Sequence, residues 1–146
     1  MALPIGQKVL LDTNVFIDFL RAELHASWVF GGEGTLLRFT SAVVLLELNL
    51  GADTPARRKA VDRIEASFRR RVLAPTPRLY AKAGRLFQVL YGRPRRESDR
   101  LGPINDLLIA LTAREIGATV VTSNVAEFAR IAGELPGLRV LPAVAQ

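Results

Sequence analysis

Four carboxylates stand where a folded chain could use them. Asp12 ends an apolar run, KVLLD, and Thr13, Asn14 and a helically spaced set of Val15, Phe16, Phe19 and Leu20 follow it. A carboxylate at the C-terminal tip of a first strand points into the crevice where open α/β sheets hold their chemistry. Capping of the following helix is the competing reading, and Thr13 and Asn14 compete for that task. Glu47 lies inside VVLLELNL, and its nearest cations along the chain are Arg38 and Arg57. An ionised carboxylate in such surroundings is costly unless it is paired, bound to a cation or set on a narrow wet stripe. Asp106 falls in INDLLIALTA, in the first turn of the most apolar predicted helix, where the helix dipole alone would welcome it. Thr122, Ser123 and Asn124 close an apolar run and Glu127 follows one turn later, which also reads as ordinary capping. Asp18 reads as structural and solvent-facing.

These groups can meet only if the elements between them bring strand ends together. Strands are predicted over 8–11, 36–40, 71–74, 119–122 and 138–141. Helices are predicted over 13–23, from the Ser41 cap to Gly51, from Thr54-Pro55 to about 67, from Thr76-Pro77 to Gly92, over 104–116, and over 125–131. Strands alternating with helices imply an α/β fold, a mostly parallel sheet covered on both faces. GGEGT, at 31–35, carries no phosphate-loop pattern and reads as a connection. GRPRRESDRLGP, at 92–103, reads as a charged loop and a contact surface.

Composition narrows the class. The 146 residues are 49% apolar with mixed charges and no Cys, which fits one globular domain and excludes a disulfide framework or thiolate metal site. The opening MALPIG lacks a basic segment leading into a long apolar run, and no uninterrupted apolar stretch approaches the ~20 residues of a membrane span, so neither a secretory leader nor a span is expected and the cytoplasm is the expected location. The net charge of +6 is uneven: residues 57–100 hold 14 Lys and Arg against four acids. A basic middle between acidic flanks fits either a polyanion partner or a solvated Arg-rich surface.

Taken together, LLDTNVFID, SAVVLLELNLG, INDLLIALTA and VTSNVAEF, in that order over nearly the whole chain, resemble the PIN-domain ribonucleases, and within them the VapC-type toxins of toxin–antitoxin modules. The resemblance implies a three-layer α/β/α fold with a five-stranded parallel sheet. It also implies metal-dependent cleavage of RNA at a cluster of acids binding Mg²⁺ or Mn²⁺. Asp12, Glu47 and Asp106 take the first three acidic positions. In the family an Asp commonly follows Thr at the tip of strand four or stands a turn later before Phe; here Asn124 and Glu127 occupy those places. Glu127 then becomes the candidate fourth ligand, and Thr13, Asn14, Thr122 and Asn124 would hold waters or phosphate oxygens. Hard divalent ions suit oxygen ligands without His or Cys. The resemblance further implies a homodimer and a cognate antitoxin, while Arg93, Arg95, Arg96 and Arg100 are candidates for holding the RNA backbone.

The competing readings fail on particular residues or stay open. A haloacid-dehalogenase-type phosphatase wants an acid two residues after the first, where Asn14 stands. A receiver-like domain wants a Lys after a late strand, and 101–146 contains none. His25 is the single His and lies outside all four motifs, which disfavours a His-dependent ribonuclease. A PIN-like module that binds RNA or a partner without cutting is the remaining alternative, kept open by Asn124 and Glu127.

Overall fold

A computed structural model describes residues 7–31, 36–93 and 98–144. Its strands are β1 (Lys8–Leu11), β2 (Leu37–Ser41), β3 (Val72–Leu73), β4 (Thr119–Thr122) and β5 (Arg139–Pro142). They form one sheet in the order β3-β2-β1-β4-β5, every neighbouring pair parallel. The helices are α1 (Thr13–Ala22), α2 (Ala26–Phe30), α3 (Ala42–Leu50), α4 (Pro55–Phe68), α5 (Pro77–Tyr91), α6 (Ser98–Glu115) and α7 (Val125–Ala132). They complete the three-layer α/β/α arrangement that the alternation predicts.

Local chemistry accounts for most of these boundaries. Val9, Leu10 and Leu11 of β1 and Val120 and Val121 of β4 are wholly buried, as in a parallel sheet covered on both faces. Thr54 and Thr76 accept from the backbone N–H of Arg57 and Leu79, and each is followed by Pro at the first helical position. Ser41 ends β2 beside Leu73 and also caps α3, its Oγ accepting from the Val43 N–H at 3.1 Å. The chain leaves α5 through Gly92, whose φ of 68° suits a residue without a Cβ.

Two expectations change. Residues 26–30 form α2, unanticipated because five residues carry too little periodicity to read. The helix expected from 104 begins at Ser98, so Pro103 lies inside α6 and not at its first position. The Gly-Pro pair imitates a helix start, but the helix already runs from Ser98. Of the expected loop over 92–103, positions 94–97 lie outside the described residues, as do 32–35 of the Gly-rich connection. Leu107 through Ala113 are buried without interruption, so α6 is an internal helix in contact with β1, β4, α3, α5 and α7. Among the described residues no helix is long and apolar enough to cross a membrane.

Candidate active site at the carboxyl edge of the sheet

The chain runs from β1 to β2 on one side and places β4 on the other. The crevice beyond the carboxyl ends of β1 and β4 is thus a topological switch point, where open parallel sheets take up ligands. Asp12 stands there, 4% exposed, with its backbone N–H donating to the Val121 carbonyl at 3.0 Å. Its Oδ1 accepts from the Thr13 N–H at 2.8 Å and its Oδ2 from the Thr122 hydroxyl at 2.9 Å. Asp12 therefore caps α1 and still faces the tip of β4, so the cap and site readings are compatible.

Hydroxyls and amides bind the rest of this edge together. Thr122 Oγ1 also accepts from the Asn124 N–H at 2.9 Å and from Asn14 Nδ2 at 3.3 Å. Asn14 Oδ1 accepts from the Ser123 N–H at 3.0 Å. The Thr13 hydroxyl donates to Glu47 Oε1 at 2.8 Å, joining α1 to α3. Glu47 is half-buried on a helix whose Val43, Val44 and Leu48 are buried.

The electrostatics tie in the remaining acids. Burial pushes Asp12 up from 3.8 to about 6, Glu47 adds to the rise, and the bonds from Thr122 and Thr13 oppose it. Burial also pushes Asp106 up to about 7, reinforced in turn by Asp12, Glu47 and Glu127. Three acids distant in sequence thus act on Asp106, which puts all four candidates within one field. Among the described residues no ion pair involves any of the four. Nor do any three Asp, Glu or His side chains stand close enough, as they lie, to grip one ion. The acids are tied singly to hydroxyls instead: Asp12 to Thr122, Glu47 to Thr13 and Glu127 to Tyr91.

Several expectations are revised. Asp106 is the ninth residue of α6, too far in for the helix terminus to account for its presence, because that effect fades within the first turn. Asn124 precedes α7, but its side chain makes no capping bond and it is exposed. Asp18 does not simply face water: its Oδ2 accepts from the Ser123 hydroxyl at 2.8 Å and lies 3.2 Å from His25 Nε2. Tyr91, absent from all four motifs, ends α5 and donates to Glu127 from 36 residues away. Its only sequence signal is a core-type residue at helical spacing from Phe87. Arg93 is exposed just beyond α5. Arg100 belongs to the first turn of α6, while Arg95 and Arg96 lie outside the described residues.

The family model for the PIN domain matches residues 9–134, a span containing all four acids. This chain belongs to the PIN-domain family. Its fold is similar to a chain of VapBC-1 from nontypeable Haemophilus influenzae, at 26% identity and TM-score 0.61, covering 93% of this chain and 98% of that one. It is similar to a chain of the DNA-bound VapBC of Salmonella typhimurium, at 26% identity and TM-score 0.62, covering 94% and 99%. A chain of VapBC2 from Rickettsia felis, bound to a DNA fragment from its promoter, shares the fold at 19% identity and TM-score 0.62, covering 93% and 98%. No curated protein matches in sequence.

Proposed function

We propose that this PIN domain is a divalent-metal-dependent endoribonuclease of the cytoplasm, the toxin of a toxin–antitoxin pair, working as a homodimer that a cognate antitoxin restrains. The observation that carries the reading is the placement of Asp12 at the carboxyl edge of the sheet, bonded to Thr122 at the β4 tip, in a PIN domain whose matched span holds all four acids, with no ion pair to any of them among the described residues. Holding one buried and three half-buried carboxylates without a counter-charge is unfavourable, and a cation arriving from solution relieves it. The likeness to VapBC structures at 26% identity supports the toxin assignment.

The donor set fits a hard ion, being all oxygen with neutral hydroxyls and amides around it. Asp12, Glu47, Asp106 and Glu127 would hold Mg²⁺ or Mn²⁺. When bound, the ion supplies a water of lowered pKa and positive charge beside the scissile phosphate. The chain's own residues set the stage. Thr122 and Thr13 fix the orientation of Asp12 and Glu47, and Asn14 and Asn124 line the β4 tip with groups that can meet water or phosphate oxygens. Asp106, half-buried beside the other acids, adds its carboxylate to the same group.

Chelation tests this reading. Purified full-length chain with Mn²⁺ is expected to cleave a structured RNA, and EDTA to stop it, with activity returning on re-addition of Mn²⁺. Cleavage that persists in EDTA would refute the metal-dependent reading. Binding of RNA with no cleavage under any divalent ion would instead support the non-cutting module that Asn124 keeps open.

RNA engagement by the basic stretch has its own test. Replacing Arg95 and Arg96 by Ala is expected to weaken RNA binding at low salt and flatten the dependence of affinity on salt by about two charges. An unchanged salt slope would assign these arginines elsewhere.

A further inference from the structure

Tyr91 is the last residue of α5, and it is held by two residues of α7. Its hydroxyl donates to Oε1 of Glu127. The Arg130 guanidinium lies over its ring, 4.7 Å from the centroid, and Phe87 packs on it at 5.1 Å. Arg130 Nη2 also donates to the Leu90 carbonyl in the last turn of α5, a group with no partner inside its own helix. Glu127 and Arg130 are three residues apart and so share one face of α7. One face of α7 therefore clamps the end of α5.

Arg130 thus helps cap the end of α5, but Glu127 caps nothing. Glu127 sits in the first turn of α7 but reaches across to Tyr91 instead of folding back on its own backbone. Glu127 acts electrostatically on both Asp106 and Tyr91, and Asp106 also acts on Tyr91, so the phenol stands at the margin of the acidic group. Its bond occupies one carboxylate oxygen and leaves the other available. A Glu side chain has three torsions to order before it can serve as a ligand, and a fixed phenol orders them in advance.

We propose that Tyr91 is a positioning residue that pre-orders Glu127 for its part in the acidic group, with Arg130 and Phe87 fixing the Tyr91 ring. The inference rests on the four acids forming one divalent-ion site.

Mn²⁺ binding by the full-length chain, measured by titration calorimetry and by loss of the free-ion EPR signal, tests it without recourse to activity. Tyr91→Phe removes the hydroxyl and keeps the ring between Phe87 and Arg130. It is expected to weaken Mn²⁺ binding about tenfold, in the range typical of groups that orient a ligand. Glu127→Gln should weaken binding at least as much, and the double variant no more than Glu127→Gln alone, since the phenol then has nothing to position. Wild-type affinity in Tyr91→Phe, with or without a lowered melting temperature, would overturn the inference, as would losses that multiply in the double variant. Asp12→Asn separates the levels. If Asp12→Asn loses Mn²⁺ binding while Tyr91→Phe retains it, only the role of Tyr91 falls. If Asp12→Asn binds Mn²⁺ like wild type, the shared site falls, and the role of Tyr91 with it.

Discussion

Replacing Asp106 by Asn is expected to reduce RNA cleavage by about three orders of magnitude, the scale of losing one essential electrostatic partner, while making the metal-free protein more stable at pH 7.5. The two effects have one cause. Asp106 is raised from 3.8 to about 7, first by burial and then by Asp12, Glu47 and Glu127. Its folded pKa exceeds its unfolded one, so between those values the native state binds more protons than the unfolded chain. Stability must therefore fall as pH rises from about 4 to about 7 and level off above that. A shift of this size corresponds to about 4 kcal/mol at full weight; partial exposure and the mutual influence of the acids reduce it to about 2 kcal/mol. Asn carries no charge at either pH. In EDTA, the melting temperature of Asp106→Asn should exceed that of wild type by roughly 5 °C at pH 7.5, and the gap should close near pH 4. Mn²⁺ should stabilise wild type at pH 7.5 and have far less effect on the variant. A variant that melts at or below wild type at pH 7.5, or a gap independent of pH, would contradict the account.

Thr122→Val is expected to lower cleavage about 100-fold and cost about 2 kcal/mol of stability. The two side chains have nearly the same shape, so the wholly buried position remains filled and only the hydroxyl is lost. That hydroxyl donates to Asp12 Oδ2 and accepts from the Asn124 N–H. Its removal leaves one buried carboxylate oxygen and one backbone donor without these partners. Burial already pushes Asp12 up to about 6, and the Thr122 bond is the largest influence opposing that rise. Without it Asp12 titrates higher still, and the acid limb of the pH–rate profile should move toward alkaline pH. Thr122→Ser, which restores the hydroxyl, should recover most of the activity. Equal rates in the Val and Ser variants, or an unmoved acid limb, would remove Thr122 from its organising role.

The first effect reflects a property common to reactive sites: groups poised for a ligand destabilise the fold that holds them. Asp12 and Asp106 are kept partly protonated near neutrality in a setting where an apolar residue or a paired acid would fit at lower cost. The sheet supports this arrangement through backbone pairing at Val9, Leu10 and Leu11 of β1, on which Asp12 follows directly.

The amino-acid sequence by itself determined the alternation of strand and helix, the Thr-Pro starts of α4 and α5, the ends of β1 and β4, and the types and order of the acids. Each of these depends on neighbours within a few residues: apolar runs, cap hydroxyls, the fixed φ of Pro and the freedom of Gly. Tertiary structure alone decided that Thr122 would bond Asp12 across 110 residues, that Ser123 would meet Asp18 across 105, and that Tyr91 would hold Glu127. It also extended α6 back to Ser98, through a Pro that local rules place at a helix start, as part of a helix whose buried length packs against both β1 and β4. Residue types announce which chemistry is available, but a hydrogen bond between distant positions exists only after packing has fixed both ends, and no local pattern encodes it.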